Sequence, residues 1–302
     1  MPFFSIIIPT YNRVDFIVKT IESVQKQLFF DWECIVIDDG SIDDTRNVVN
    51  EISSKDKRVS YFYQFNSERS VARNNGIKKS SGQYICFLDS DDFFLENHLS
   101  LLYHEIEIKN YPIGMFFTNY ILNKKNIQER VYFPKMDKNV LNYLIYNPII
   151  PARVCIHSEI LKFELFDEEI VIVEDLLLWI RIALKHQLYH IEKETVVYNI
   201  HDNNSINIKN NAAVKRLNGI KVFFKKYPDI RPQIPSVLWH FIIGDTHFNI
   251  MKFHLQNKDR KMAMKHLILS LLHQKIHAQF KHKIYILLNI LFNRSIPEYT
   301  SK

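Results

Sequence analysis

Residues 84–92 read YICFLDSDD. The apolar run Tyr84–Leu88 has the length of a buried strand, and it leads directly into three carboxylates, Asp89, Asp91 and Asp92. Carboxylates this close repel one another and raise one another's pKa unless a cation or a donor-rich ligand compensates them. They suit a hard divalent cation such as Mg²⁺ or Mn²⁺, which is often shared with a substrate diphosphate. A polar turn that caps a helix would use the same residue types, so this stretch alone leaves both interpretations open.

Two earlier stretches have the same construction. Apolar runs at Phe3–Ile8 and Cys34–Ile37 also end in polar residues. Predicted helices follow the strands: 14–28 from apolar residues at helical spacing, 41–52 from a capping signal at Ser41, and 68–79. Buried strands that alternate with helices indicate βαβ units and a largely parallel sheet. The sequence therefore predicts an α/β fold in which helices flank a mixed, mainly parallel sheet.

The polar residues lie where the predicted strands end. Ligands of a parallel sheet bind beyond the carboxyl ends of its strands, and these ends share one edge. We therefore expect one site, built from the residues that follow the first, second and fourth predicted strands: Pro9, Thr10, Tyr11, Asp38, Asp39, Asp89, Ser90, Asp91 and Asp92.

The pattern changes after about residue 114, and only helices are predicted beyond about residue 208. The further predicted strands are 59–65, 115–122, 130–133 and 189–200, and the further predicted helices are 175–186, 210–226, 236–256, 258–273 and 275–292. We therefore expect an α/β domain over residues 1–205, whose two halves meet near residue 115, and a helical region over residues 206–302.

Composition places the chain among ordinary soluble proteins. Of its 302 residues, 47% are hydrophobic and 24% are charged. The three cysteines, Cys34, Cys86 and Cys155, lack metal-ligand spacing, which favours buried reduced thiols in a cytoplasmic protein. The amino terminus lacks the basic region of a secretion signal, and no apolar stretch reaches the roughly 18 residues of a membrane span.

The charge is distributed unevenly along the chain. Residues 201–302 hold 17 Lys and Arg against 5 Asp and Glu, a net charge of +12 within a total of +6. Basic helices beside the apolar run Ile284–Phe292 resemble helices that lie on the anionic inner face of a membrane. A helical bundle with solvated lysines explains the same pattern, and both interpretations stay open. No nucleic-acid-reading motif is present, so nucleic acid is excluded as a partner.

Several nucleotide-site motifs are absent from the sequence. It contains no G-x-x-x-x-G-K-[ST] loop, no G-x-G-x-x-G turn and no G-x-S-x-G elbow. A nucleoside diphosphate would therefore have to be held by a metal ion and side chains rather than by a glycine-rich loop.

Four motifs together resemble a known family. In chain order they are IIIPTYNR (6–13), CIVIDDGSIDDT (34–45), SVARNNGIKKSSGQYICFLDSDD (70–92) and VEDLLLWIRIAL (173–184). The set resembles the family 2 inverting glycosyltransferases of the GT-A fold, over residues 3–202. The resemblance implies a sugar transferred from a nucleoside diphosphate, most often UDP, to a glycan or lipid-linked acceptor in bacterial surface polysaccharide synthesis. It also implies a nucleotide-sugar half over residues 1–115, an acceptor half over residues 116–205, and Mn²⁺ or Mg²⁺ as cofactor.

The resemblance assigns roles on the donor side. Pro9, Thr10 and Tyr11 would line the nucleoside pocket, Asp39 would accept hydrogen bonds from the base, and Arg73 would face the nucleotide unless it is a surface arginine. In the D-x-D element Asp89-Ser90-Asp91, Asp91 would bind the metal and Asp89 would lie near the ribose or the metal. Asp92 would lie close to the donor sugar.

The resemblance also assigns roles on the acceptor side. Asp175 would be the catalytic base, although capping a helix would also explain an aspartate there. Glu174 and Trp179 would contact the acceptor, with core packing as the equal alternative for Trp179. His201 would approach the metal or diphosphate, or would be a structural histidine. The donor sugar, the acceptor, the linkage and the oligomeric state stay open.

Two other functions remain as alternatives. A nucleotidyltransferase would open with a glycine-rich basic signature, which Pro9-Thr10-Tyr11-Asn12 does not resemble. A catalytically silent sugar-nucleotide-binding or scaffold subunit would not need Asp89, Asp91 and Asp175, so their presence favours an enzyme.

Overall fold

One mixed sheet runs through the first of two compact units, residues 1–202 and 203–302. The structure is a computed structural model, and it describes residues 1–201 and 211–273. In these residues the sheet has nine strands: β1 (Phe4–Thr10), β2 (Trp32–Asp38), β3 (Val59–Tyr63), β4 (Tyr84–Phe87), β5 (Phe93–Phe94), β6 (Gly114–Lys124), β7 (Ile127–Arg130), β8 (Val154–His157) and β9 (Gln187–Ile200).

The helices of this unit separate the strands along the chain. They are α1 (Val14–Gln25), α2 (Thr45–Lys55), α3 (Glu68–Lys79), α4 (His98–Ile108), α5 (Val140–Tyr146), α6 (Ser158–Leu161) and α7 (Glu174–Ala183), with a 3₁₀ turn at Pro151–Arg153.

The strand order is β3-β2-β1-β4-β8-β6-β9-β5, with β7 paired to β6. Strands β3, β2, β1 and β4 are mutually parallel, and β6 and β9 form a second parallel pair. Between these groups, β8 runs antiparallel to both β4 and β6. The expected mixed, mainly parallel α/β sheet is confirmed, and the carboxyl ends of β2, β1 and β4 lie side by side.

Helices cover both faces of β1 and β2, because nearly all residues of these strands are buried. On one face, Ile6 and Val36 belong to the main core with residues of α1 and α4. On the other face, Ile35 and Ile37 pack against Ala72 of α3. Helix α3 lies so close to β1 that a Cβ at Gly76 would come within 2.4 Å of an Ile7 methyl group.

Most predicted elements are present with shifted ends. The second hairpin strand is Ile127–Arg130 rather than 130–133, and α2 begins at Thr45 rather than near Ser41. Helix α4 and the short elements β5, β8, α5 and α6 were not predicted. The three cysteines are buried and unpaired, as expected. The predicted helix 275–292 and the run Ile284–Phe292 lie outside the described residues.

The second unit is helical where it is described, also as expected. It contains α8 (Ala212–Lys226), a 3₁₀ turn at Pro228–Gln233, α9 (Ser236–Gln256) and α10 (Arg260–Leu272). A small core joins Phe248 and Met251 of α9 to Ala263 and Leu267 of α10. Among the described helices, none is long and apolar enough to cross a membrane.

Candidate active site

The polar ends of β1 and β2 are joined by backbone hydrogen bonds. The Asp39 N–H donates to the Thr10 carbonyl at 2.8 Å. Pro9 and Thr10 are buried within β1, and Tyr11 beyond them is 47% exposed. In the part of the chain that the structure describes, the Thr10 hydroxyl has no hydrogen-bond partner. The predicted residues of the first strand end therefore lie beside Asp39.

Asp39 is fixed in place by the chain that follows β3. Its Oδ1 accepts hydrogen bonds from the Gln64 side chain at 2.7 Å and from the Ser67 N–H at 2.8 Å. Burial raises the pKa of this carboxyl, against the effect of those hydrogen bonds. Gly40 has φ +88°, and a Cβ there would meet the Asn66 nitrogen at 2.8 Å, so the tight turn after Asp39 requires glycine.

The turn after β4 points its carboxylates in different directions. Asp91 Oδ2 lies 2.9 Å from His201 Nε2 and 3.5 Å from Arg13 Nη2. His201, at the end of β9, stacks on the Phe16 ring with centroids 5.2 Å apart. The predicted metal ligands Asp91 and His201 are thus brought together, although 110 residues separate them in sequence.

Asp92 and Ser90 turn inward. Asp92 is completely buried, its Oδ1 accepts from the Asn199 N–H at 2.9 Å, and its Oδ2 has no partner among the described residues. Burial, with the charges of Asp91 and Asp89, raises the pKa of Asp92 well above its ordinary value. Ser90 is also buried, and its carbonyl accepts from the Thr20 hydroxyl at 3.0 Å. Both residues hold the turn in this structure and do not face solvent.

Arg73 joins the D-x-D turn to the start of α7. Its Nη2 lies 2.7 Å from Asp89 Oδ1 and its Nη1 lies 3.0 Å from Glu174 Oε1. Burial opposes the positive charge, but Asp89 and Glu174 outweigh burial and raise the guanidinium pKa. The side chain is only 2% exposed, so Arg73 is not a surface arginine.

Asp175 lies in the first turn of α7. It is partly exposed, and its Oδ1 accepts from the Leu176 N–H at 2.7 Å. Loss of contact with water and the negative charge of Glu174 together raise the pKa of Asp175 to about 7. Val173, directly before Glu174, has φ +66°, a strained conformation for a β-branched residue. Val173 occupies the N-cap position of α7, so Asp175 lies in the first turn of the helix rather than at its cap.

The two residues assigned to the acceptor have other contacts. Glu174 is buried against Arg73, with Arg69 Nε 3.6 Å from the same oxygen. Trp179 is fully buried, donates its ring N–H to the Ile149 carbonyl at 2.9 Å, and packs against Phe166. The structure thus places Trp179 in the core, the second of its two alternatives.

Helix α3 also fastens the segment that leads to Asp175. The Asn74 side chain donates to the Phe166 carbonyl at 2.9 Å and accepts from the Phe166 N–H at 3.1 Å. It also donates to Glu168 at 2.9 Å. Neighbouring residues Arg73 and Asn74 therefore position both the ionised groups and the backbone near Asp175.

The residues near Asp91 fit a divalent cation that arrives with its substrate. In the described part of the chain, no three His, Cys, Asp or Glu side chains converge on one point. Asp91 supplies a carboxylate oxygen and His201 an imidazole nitrogen, which suit Mn²⁺ or Mg²⁺. Such ions commonly take one or two protein ligands and fill their remaining positions with water and substrate phosphates.

Sequence reasoning missed four residues that build this site: Arg13, Gln64, Asn74 and Asn199. Arg13 and Asn74 lie inside the quoted motifs IIIPTYNR and SVARNNG, so their positions were a usable signal. Asn199 lies in β9, two residues before His201. Its contact with Asp92 becomes visible only in the fold.

Comparison with known proteins identifies the family. Residues 5–168 match the family described as "Glycosyl transferase family 2", and this is more than half of the chain. The chain belongs to glycosyl transferase family 2. The match includes the β1, β2 and β4 ends and Arg73, and it stops before Asp175.

Curated relatives of this family 2 chain share from 15% to 68% of their length with it. An uncharacterized glycosyltransferase of Rickettsia bellii is 37% identical over 67% of this chain, which corresponds to 29% of that protein. The chain spans only about a third of the length of the first Rickettsia relatives. Escherichia coli WfgD, a UDP-Glc:α-D-GlcNAc-diphosphoundecaprenol β-1,3-glucosyltransferase, is 35% identical over 59% of this chain and 68% of that protein.

Solved structures share the fold at low sequence identity. Staphylococcus aureus TarS 1–349 in complex with UDP has a TM-score of 0.59 at 19% identity, covering 91% of this chain and 92% of that one. The mannosyltransferase PcManGT of Pyrobaculum calidifontis, in complex with GDP-Man and Mn²⁺, has a TM-score of 0.61 at 14% identity, covering 96% and 81%. The mixed α/β GT-A fold expected from the sequence is confirmed.

Proposed function

We propose that this chain is a metal-dependent inverting glycosyltransferase. It transfers a sugar from a nucleoside-diphosphate-sugar, for which we propose UDP as the nucleotide. The acceptor is a hydroxyl of a glycan or of a lipid-linked glycan in surface polysaccharide synthesis. One observation carries the proposal: Arg73 joins Asp89, in the turn after β4, to Glu174, the neighbour of Asp175. The names of relatives that use UDP-glucose and undecaprenol-linked acceptors support the donor and acceptor classes.

Asp175 removes the proton from the acceptor hydroxyl. A carboxylate with a pKa near 7 is deprotonated often enough to act as base and basic enough to accept a proton efficiently. As the proton moves to Asp175, the hydroxyl oxygen forms a bond to the anomeric carbon. The bond from that carbon to the diphosphate oxygen breaks, and the electron pair leaves with the nucleoside diphosphate.

A single displacement of this kind inverts the anomeric centre. A retaining reaction through two displacements would need a second carboxylate free to attack the sugar. Glu174, the carboxylate beside Asp175, is buried and paired with Arg73, and is not available for that role. This pairing supports the inverting mechanism.

Asp91 and His201 would hold a divalent cation. A cation bound there would neutralise negative charge that builds on the departing diphosphate. Asp39, with Thr10 and Tyr11 beside it, would receive the nucleoside, because Asp39 is fixed by Gln64 and Ser67 at the neighbouring strand end.

The remaining assignments complete the proposal. Residues 1–205 would form the catalytic domain and residues 206–302 a helical region whose basic side chains contact the inner face of the cell membrane. Lipid-linked acceptors of relatives support this location, because they are presented at a membrane.

Calorimetry with and without Mn²⁺ tests the proposal. UDP, GDP, CDP and dTDP are titrated into the wild-type chain, into Asp91→Asn, and into Glu22→Gln as a matched control on the exposed side of α1. We expect one nucleotide to bind in a Mn²⁺-dependent manner, and this binding to be lost in Asp91→Asn and retained in Glu22→Gln. Absence of metal-dependent binding of all four nucleotides to the wild type would overturn the proposal and favour a silent scaffold.

A further inference from the structure

Arg13 lies against the oxygen of Asp91 that faces His201. Its Nη2 is 3.5 Å from Asp91 Oδ2, and His201 Nε2 is 2.9 Å from the same atom. The Arg13 side chain is 23% exposed, so it reaches the open edge of the site. One carboxylate oxygen is therefore contacted by an arginine and by a histidine from opposite ends of the first unit.

This contact is looser than the other arginine contacts of the site. Charge-assisted hydrogen bonds between nitrogen and oxygen are about 2.7–2.9 Å long. Arg73 reaches its partners at 2.7 and 3.0 Å, whereas the Arg13 guanidinium, within the described residues, forms no hydrogen bond. The Arg13 guanidinium is held by Coulomb attraction to Asp91 and by the Phe16 ring, whose centroid lies 5.9 Å from Arg13 Cζ.

The backbone of Arg13, by contrast, is fixed. Its N–H donates to the Thr45 hydroxyl at 3.2 Å. Its carbonyl accepts from the Phe16 and Ile17 N–H groups at 3.0 and 2.9 Å, where α1 begins. A rigid backbone with a loosely held side chain lets the guanidinium change partner at small cost, because the rest of the loop need not move.

The charges of the loaded site require such a change. A divalent cation on Asp91 removes the negative charge that holds Arg13 and repels the guanidinium. A nucleoside diphosphate brings negative oxygens to the same edge, and the planar guanidinium matches phosphate geometry. We propose that Arg13 neutralises Asp91 in the empty site and moves to bind the donor's diphosphate when cation and donor arrive. This inference rests on the proposed function.

Two affinities should then change in opposite directions when Arg13 is neutralised. The cation alone should bind more tightly to Arg13→Gln, because its competitor for Asp91 is gone. The nucleoside diphosphate, with Mn²⁺ saturating, should bind more weakly by about tenfold to a hundredfold, the usual worth of a charged hydrogen bond. A purely structural role for Arg13 would weaken both affinities together.

Calorimetry on the full chain distinguishes these outcomes. Mn²⁺ alone, then UDP, UMP and uridine with saturating Mn²⁺, are titrated into wild type, Arg13→Gln, Arg13→Lys and Lys19→Gln. Lys19 is exposed on α1, so its variant removes one positive charge from the same helix without touching the site. Circular dichroism confirms that each variant is folded.

We expect Arg13→Gln to lose UDP affinity, to lose little uridine affinity and to gain Mn²⁺ affinity. Arg13→Lys should recover part of the UDP affinity, and Lys19→Gln should match the wild type. Equal UDP affinity in wild type and Arg13→Gln would overturn the inference and leave the proposed function intact. Failure of the wild type to bind UDP, GDP, CDP or dTDP would overturn the proposed function and the inference with it.

Discussion

Arg73 and Glu174 form an ion pair of 3.0 Å in which both side chains are almost completely buried. The pair links α3 to the first turn of α7, and 101 residues separate its members. Because the second Arg73 amino group binds Asp89, one guanidinium sets the geometry of both the donor turn and the segment that carries Asp175. The donor side and the acceptor side of the proposed reaction thus share a single buried cation.

Removing that cation should destabilise the first unit. Arg73→Met keeps much of the side-chain volume but leaves Glu174 buried without its main partner. Breaking a buried pair from one side costs about 3–5 kcal/mol. Urea denaturation followed by tryptophan fluorescence measures the loss. A matched control is Lys55→Met, whose exposed pair with Glu51 should contribute far less to stability. Equal stability of Arg73→Met and wild type would contradict the assigned role.

The activity of the wild type should rise with pH through an apparent pKa near 7. Asp175 must be deprotonated to accept the acceptor proton, and its pKa is raised to about 7 by loss of water contact and by Glu174. The measurement is kcat/KM against pH, because this quantity reports the groups of the free enzyme. An acid limb near pH 4, the ordinary range of a carboxyl group, would contradict this assignment.

Glu174→Gln should move the same acid limb to lower pH. The variant removes the negative charge beside Asp175 and leaves the Arg73 charge less compensated, and both changes lower the Asp175 pKa. A shift of the limb toward pH 4 with folding retained is the expected result. An unchanged limb would mean that a different group controls the reaction.

The sequence predicted the sheet edge well, because long apolar runs and their polar ends are local features. It did not predict β5 and β8, whose two and four residues are ordered by pairing with β9 and with β4 and β6. Nor could it show that Arg73 is buried, that Asp92 turns inward or that Trp179 packs in the core. Each of these facts depends on partners more than 15 residues away.

Acid should loosen the contact between α9 and α10 in the second unit. Five histidines line the α9–α10 contact, with Nδ1 atoms of His240 and His273 3.1 Å apart and those of His247 and His266 3.0 Å apart. Such a pair cannot carry two protons without repulsion, and Lys221 and Lys265 add positive charge nearby. Burial and these charges lower the pKa of His247 to about 4.

The sign of the effect follows from proton binding. Unfolded histidine titrates near pH 6.5, so below that pH the unfolded state binds more protons and the folded unit loses stability. The loss is about 1.4 kcal/mol per pH unit for one such histidine, down to about pH 4. Hydrogen exchange at pH 7.5 and 5.5, corrected for intrinsic rates, should show lost protection in α9 and α10. His247→Asn should lose less protection between pH 7.5 and 5.5 than the wild type does. An equal loss of protection in the wild type and in His247→Asn would refute this explanation.

The most direct test of the proposed reaction compares two measurements on Asp175→Asn. The first is Mn²⁺-dependent UDP release from UDP-sugars in the presence of undecaprenyl-diphosphate-linked saccharides, and the second is UDP affinity by calorimetry. We expect release to fall by about a hundredfold to ten-thousandfold, the usual contribution of a general base, while UDP affinity stays at the wild-type value. Release at the wild-type rate from Asp175→Asn would contradict the assignment of Asp175 as the base and, with it, the proposed mechanism.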